Sequence, residues 1–395
     1  MPAGRPAAAG GGSYNRTMNG LGGTPPVSAY DVQVQGAGVV GRTLALALSR
    51  QGLRVALRSR PVGAATREDV RAYALNAASI ELLRSLKVWE SLPPHAVTPV
   101  QEMHVRGDAP GAELQFSAWQ QRVDALAWIV DAAALERELE RAVRFAPHIT
   151  VVANDTGAEL LAICEGVASS TRAARGIGLE RHDYGQRAIA TRVVTGHPHR
   201  GIARQWFGSP DVLALLPFDT PEPERSAAVV WSLPLARADA LLGLDDVAFA
   251  QALMEATGGA AGEIRVAAPR AGWPLQLGRA ECWTGEGWAL LGDAAHVVHP
   301  LAGQGLNLGL ADVAALTRVL AAREPWRRLG DARLLRRYAR ERAAPTRAMA
   351  EVTDGLLRLF ALEAAPWREL RNRGLTLVDR IAPAKRWLAA QALGS

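Results

Sequence analysis

The stretch Asp31-Val-Gln-Val-Gln35 alternates polar and apolar residues, and Gly36-Ala37-Gly38-Val39-Val40-Gly41 breaks that alternation at once. Residues 42–50 are then mostly apolar with few helix breakers, and 53–57 read as a second strand. Strand, glycine turn, helix, strand is the opening of a dinucleotide fold, and a GxGxxG sequence carries weight only in that setting. Gly36 permits the tight turn, Gly38 lets a pyrophosphate reach the backbone, and Gly41 lets helix and strand pack closely. The helix N-terminus offers unpaired N–H groups and the positive end of its dipole to the phosphates. These residues predict a bound dinucleotide without choosing between NAD and FAD. One usual part is missing. The second strand of such folds ends in an acid that accepts from ribose hydroxyls, whereas this one ends Leu57-Arg58-Ser59-Arg60. Ser59 can bond a hydroxyl, but charge-assisted bonds to a carboxylate are about twice as strong.

Length and composition narrow the surroundings. The 395 residues suffice for about two domains. Hydrophobic residues at 49% against 21% charged give a globular balance rather than a disordered one. No apolar run reaches the roughly 18 residues that a membrane-spanning helix needs. The net charge of +6 is almost all arginine, since Lys87 and Lys385 are the only lysines. Such a surface could suit nucleic acid, anionic lipid or phosphate-bearing cofactors, but a base composition that favours arginine codons accounts for it more simply. No basic block alternates with aromatics as a nucleic-acid groove requires. Cys164 and Cys282 stand far apart, which argues against a disulfide framework and fits a reducing cytoplasm. Residues 1–28 are rich in Gly, Ala and Pro without an apolar signal core, and read as a disordered extension.

Along the chain, 73–90 reads as a helix, 98–117 as strands and 131–143 as another helix. Short apolar strands at 188–195, 201–207, 212–217 and 227–232, with turn signals between them, predict a largely antiparallel sheet separate from the nucleotide layer. From Leu306 to Leu393 the pattern is helical, with expected breaks at Pro345, Pro366, Gly374 and Pro383.

The segment from Gly287 to Asp312, GWALLGDAAHVVHPLAGQGLNLGLAD, contains a second site. A strand ending at Leu291 leaves Asp293 at its carboxyl end, where α/β folds bind ligands, and a carboxylate there can accept from a ribityl chain. Gly303-Gln304-Gly305 then opens a helix whose N–H donors suit an anionic reduced flavin. Asp293, His296 and His299 are spaced by three, but Pro300 and the glycines interrupt any helix and no fourth ligand is near. Flavin is therefore preferred over metal here.

GDAAH followed by HPLAGQGLNLG resembles the second FAD motif of the aromatic-ring hydroxylases of the para-hydroxybenzoate hydroxylase fold, and its wording is similar to the branch acting on ubiquinone precursors. Arg71-Ala-Tyr-Ala-Leu-Asn76, Trp128-Ile-Val-Asp131, Tyr184-Gly-Gln186, Leu213-Ala-Leu-Leu-Pro217 and Asp354-Gly-Leu-Leu-Arg-Leu-Phe360 resemble that branch in order, from about residue 30 to 394. Cys164-Glu165-Gly166-Val-Ala-Ser169-Ser-Thr-Arg172 departs from its usual Asp-Gly motif by one methylene at Glu165, and the segment before it is shorter than the strand pair the family places there.

The resemblance implies an α/β fold. A Rossmann-like FAD layer (29–97, 119–180 and 279–343) accompanies a mostly antiparallel substrate sheet (98–118 and 181–278) and C-terminal helices over 344–395. It implies FAD held by Gly36, Gly38, Gly41, Ser59, Arg71, Glu165, Gly292, Asp293, Pro300, Gly303, Gln304, Gly305 and Asn307. NAD(P)H would reduce the flavin, O₂ would add as a C4a-hydroperoxide, and an oxygen would pass to a phenolic ring. His299 is the one candidate catalytic residue. A polyprenylated substrate implies an apolar channel and peripheral contact with the inner face of the membrane through the C-terminal helices. A biosynthetic complex is a further implied partner. Two rival readings stand beside this one: a non-catalytic flavoprotein-like scaffold, suggested by Ser59 and the shortened segment, and a monooxygenase of another soluble aromatic or alkene.

Overall fold

The computed structural model describes residues 29–59, 69–107, 112–208, 210–298 and 304–361. The expected N-terminal extension and the last expected helices, from 362 onward, lie outside them.

Strand β1 (Val32–Gln35), helix α1 (Val39–Arg50) and strand β2 (Val55–Arg58) form the predicted opening, with the two strands parallel. Val32 and Val34 share one buried cluster with Leu44 and Leu48 of α1, so the alternating pattern sends one set of β1 side chains to the helix. Gln33 and Gln35 are left for the opposite face. Next come β3 (Ala72–Leu75), α2 (Ala77–Ser85), β4 (Val97–Val100), β5 (Glu102–Arg106) and β6 (Glu113–Ser117). A short α3 (Ala118–Gln121) and β7 (Ala127–Asp131) lead to α4 (Ala132–Phe145). Asp131 caps α4 by accepting from the Ala134 N–H at 3.0 Å. β8 (Ile149–Val152), β9 (Leu160–Ile163) and α5 (Ser170–Ala174) complete this part.

The middle of the chain supplies β10 (Leu179–Thr195), β11 (Ile202–Phe207), β12 (Val212–Phe218) and β13 (Ser226–Pro234). Helices α6 (Leu235–Leu242) and α7 (Asp246–Ala256) follow, then β14 (Ile264–Val266) and β15 (Ala271–Ala280). The chain returns to the first layer through β16 (Thr284–Gly285) and β17 (Trp288–Leu290), adds β18 (His296–Val297) to the edge of the second layer beside β15, and the described residues end in α8 (Gln304–Ala321) and α9 (Ala332–Ala361).

Three sheets result. The nucleotide layer has the order β16-β17-β9-β1-β2-β8, parallel except for β16. A nine-stranded sheet, β18-β15-β10-β13-β12-β11-β5-β6 with β14 on β10, is antiparallel apart from the β11–β5 pair. A three-stranded sheet, β3-β7-β4, joins them. Parallel strands must be covered on both faces, and α4 and α8 each pack against α1, which lies between them over one face of the first sheet. Helices α6 and α7 pack with Leu213, Leu215 and Trp231 on the outer face of the large sheet. Arg192 bridges the layers from β10, with Nη2 3.0 Å from the Asp131 carboxylate and its guanidinium over the Phe218 ring.

Several sequence expectations change. Residues 73–75 are strand, not helix, because they pair with β7, and the helix starts only after Asn76 caps it from Ser79 N–H at 2.9 Å. Pro345 does not break α9, which continues to Ala361 with the proline inside it. The buried first turns of α9, from Leu334 to Tyr338, anchor the helix before the proline. Strand β10 begins at Leu179, well before 188, because its polar start pairs with β15 across a bulge at Asp183/Gln186. Among the described residues no helix is long and apolar enough to cross a membrane.

Candidate functional site

The phosphate turn divides its glycines between protein and solvent. Gly36 has φ +103°, and a Cβ there would lie 2.5 Å from the Cys164 carbonyl oxygen at the end of β9. A Cβ on Gly41 would run into the Gly36 carbonyl. A Cβ on Gly38 meets nothing within 4 Å. The outer glycines are consumed by packing, and the middle one faces open space. Gly38 is also the N-cap of α1 and, having no side chain, leaves the first N–H groups of that helix without a side-chain cap from that position. Below the turn, burial pushes the Cys164 thiol up, which keeps it neutral and inert.

At the flavin-motif end, β17 delivers Gly292 in a left-handed conformation, φ +59°. Helix α8 comes so close that a Cβ on Gly309 would lie 2.8 Å from Val40 Cγ2 and 3.4 Å from Gly292 Cα. This contact brings the first and second motifs together. Asp293 next to it is reached by solvent yet hemmed in by protein, as a residue lining a concave opening would be. Desolvation holds its carboxyl above the usual range; His296 and Arg71 pull it down and Asp312 pushes it up. Its carboxylate makes no hydrogen bond among the described residues. Gly305, in the first turn of α8, also has open space where a Cβ would be.

Arg71 reaches the same opening. It makes a forked ion pair with Asp69, at 2.9 Å from Nε and 2.6 Å from Nη2, and lies over the Tyr73 and Trp273 rings at 5.6 and 5.7 Å. Burial raises the Asp69 carboxyl, but the bonds from Arg71 outweigh that and hold it below the usual range. Burial also pushes the Tyr73 hydroxyl up to about 12. Asn307 spends its side chain on the joint between α8 and this segment: Oδ1 accepts from Asn76 N–H (3.1 Å) and Ser79 Oγ (2.7 Å), and Nδ2 donates to the Ala74 carbonyl (2.8 Å). Glu165 likewise turns inward, accepting from Ser169 Oγ at 2.7 Å and Thr171 N–H at 2.9 Å. Arg172 joins that middle motif to the flavin motif by donating to the Ala294 carbonyl at 3.0 Å.

At the far end, the Ser59 backbone pairs with Val152 at 3.2 Å. Arg58 points under the sheet and meets the Asp155 carboxylate at 3.0 Å. Gln33 donates to the same oxygen at 2.8 Å, and Gln35 joins them. The shortened connection before β9 therefore folds Asp155 onto the polar side of β1. Pro300, Gly303 and His299 lie outside the described residues, and the side chain of Gln304 is not described. The sequence reading missed Asp155, Trp273, Asp312 and Arg342. The alternation of Gln33 and Gln35 signals a polar partner, but no local pattern points to the other positions.

An uncapped helix behind an open glycine, a cleft-facing acid and a stacked arginine define a dinucleotide-binding protein with a second ligand surface, and these residues fit FAD. Residues 29–353 match the FAD binding domain family. Ubiquinone hydroxylase UbiL of Rhodospirillum rubrum is 30% identical over 390 residues, spanning 92% of this chain and 90% of that protein. The 3-demethoxyubiquinol 3-hydroxylase of Escherichia coli is 29% identical over 393 residues, 92% of this chain and 98% of its own. PqsL of Pseudomonas aeruginosa, a probable FAD-dependent monooxygenase, shares the fold with a TM-score of 0.71 at 21% identity, over 88% of this chain and 99% of that one. The p-nitrophenol 4-monooxygenase PnpA of Pseudomonas putida does so at 0.71 and 17%, over 93% and 98%. The chain belongs to the FAD-dependent monooxygenase family.

Proposed function

We propose that this protein hydroxylates the aromatic ring of a ubiquinone precursor, with NAD(P)H as electron donor and O₂ as oxygen source. The carrying observation is the end-to-end similarity to ubiquinone hydroxylases, over 92% of this chain, combined with a solvent-reached Asp293 just past the end of β17. FAD, when bound, supplies the activation of O₂ and the delivery of one oxygen atom to the ring.

The chain's own residues bind and orient. Gly38 and the first turn of α1 receive the pyrophosphate, and Asp293 receives hydroxyls of the ribityl chain. Gly305 and the start of α8 present donors to the flavin edge. Arg71 stands guard over the opening from its stack on Tyr73 and Trp273. The large sheet, drawn mainly from 98–118 and 181–278, packs Val105, Leu114, Phe207 and Val212 into one buried apolar cluster that stiffens the strands on the substrate side. Peripheral contact with the inner face of the membrane belongs to the same reading.

The test is to purify the protein, add FAD, NADH or NADPH and a demethoxylated precursor phenol, with hydrogen on the ring carbon to be hydroxylated, in air, and weigh the product. A product heavier by one oxygen atom, with nicotinamide oxidation accelerated by the phenol, is expected. Nicotinamide oxidation without oxygenated product would sink the substrate assignment, and a protein that binds no FAD would favour the scaffold.

A further inference from the structure

Asp312 lies on α8 beneath the turn that carries Asp293, and it is fully buried at 0% exposure. Its two oxygens take three donors. Oδ2 lies 2.9 Å from Gly292 N–H and 2.7 Å from His296 Nε2, and Oδ1 lies 2.7 Å from Arg342 Nε. Arg342 also reaches the Leu308 carbonyl at 3.3 Å, so α9 is tied to α8 at this point. Burial raises the Asp312 carboxyl, but His296 and Arg342 more than offset this and hold it below the usual range.

A buried ion pair is an expensive way to pack two helices, since apolar residues of similar volume do it as well or better. Apolar packing is already present: Leu310, Val313, Leu316, Leu334 and Leu335 share one buried cluster. A carboxylate adds two lone-pair directions that can hold a backbone N–H and an imidazole together. Those two groups are the ends of the turn from Gly292 to His296, and Asp293 sits between them. Arg172 holds the Ala294 carbonyl from the other side.

We propose that Asp312, fixed by Arg342, is a positioning residue that clamps both ends of the Gly292–His296 turn so that Asp293 presents its carboxylate to the flavin. The proposal rests on the family's flavin and is independent of which aromatic ring is the substrate. It makes the seat of α9 against α8 a determinant of cofactor affinity.

The test uses the full chain with Asp312→Asn and with the double variant Asp312→Asn/Arg342→Met. Three quantities are read: the Tm of the flavin-free protein, the Kd for FAD by fluorescence quenching, and the visible spectrum of the bound flavin. Asp312→Asn is expected to lower Tm and weaken FAD binding about tenfold or more, the cost of buried donors left unsatisfied. The double variant leaves no unpaired buried guanidinium, so most of the Tm returns. FAD affinity does not return with it, and the flavin spectrum stays altered, because nothing holds the turn. Recovery of affinity together with Tm would overturn the proposal, as would an unchanged Kd and spectrum in Asp312→Asn. If the single variant fails to fold, the double variant decides alone. A wild-type protein that binds no FAD would overturn the flavin reading itself, before any variant is compared.

Discussion

The two ends of the cofactor cleft are built by opposite means. Around Gly292 and Asp293, several described groups are held by buried partners: Asp312, His296, Arg342 and Asn307 are all 8% exposed or less. At the carboxyl end of β2 the ion pair itself is wet, with the Arg58 side chain 34% and the Asp155 side chain 66% exposed, although Gln33 and Gln35, which bond the same carboxylate from β1, are buried. Buried hydrogen bonds in a low dielectric hold geometry, whereas an exposed ion pair contributes about 0–1 kcal/mol and yields to salt. The flavin-edge end is thus preorganised, and the ribose end binds by what it can recruit.

The largest effect should come from the phosphate turn, where Gly36 packs against the end of β9. Gly36→Val combines a left-handed φ with a clash against a carbonyl, and should destabilise by about 3 kcal/mol or more and abolish FAD binding; thermal melts with and without FAD read both. Asp293→Ala should weaken FAD roughly 10- to 100-fold, the worth of lost charge-assisted bonds. Its flavin-free Tm should stay level or rise, because desolvation of that carboxylate outweighs the attraction of His296 and Arg71. A fall in the flavin-free Tm would assign Asp293 to the fold instead.

Acid should separate the two ends further. The Asp312 carboxyl is depressed in the folded protein, so its stabilisation is present above the unfolded value of about 3.9 and disappears as pH falls through the folded value. Denaturant melts from pH 5 downward, on wild type and Asp312→Asn, should converge as the wild type loses this advantage. At the other end, Ser59→Glu restores an acid to β2 and should tighten FAD about threefold to tenfold. The smallest change is Arg58→Ala, within about 1 kcal/mol in stability and smaller still at high salt. A large loss of FAD affinity in Arg58→Ala would mean that the wet end is preorganised after all.

The comparison also separates what could be read before the structure from what could not. Glycine spacing and strand alternation are local, and backbone sterics give them one meaning, so β1, α1 and the Gly292-Asp293 turn were legible in the chain. The short strand at 72–75 was not, since it exists only because β7 and the Asn76 cap compete with helix there. Pro345 misled for a similar reason: a local breaker is overruled when the helix before it is anchored in the core. Asn307 and Glu165 belong to recognisable motifs, yet their side chains bond other parts of the protein, which motif wording cannot reveal.

By itself, then, the sequence determined the dinucleotide turn, the acid at the end of a parallel strand and the antiparallel character of the middle sheet, because each follows from residue type at short range. Tertiary structure alone decided that Asp312 and Arg342, 30 positions apart, share one bond beneath that acid, and that Asp155 closes the polar face of β1. Contacts across such separations depend on how helices and sheets stack, and no local pattern encodes the stacking.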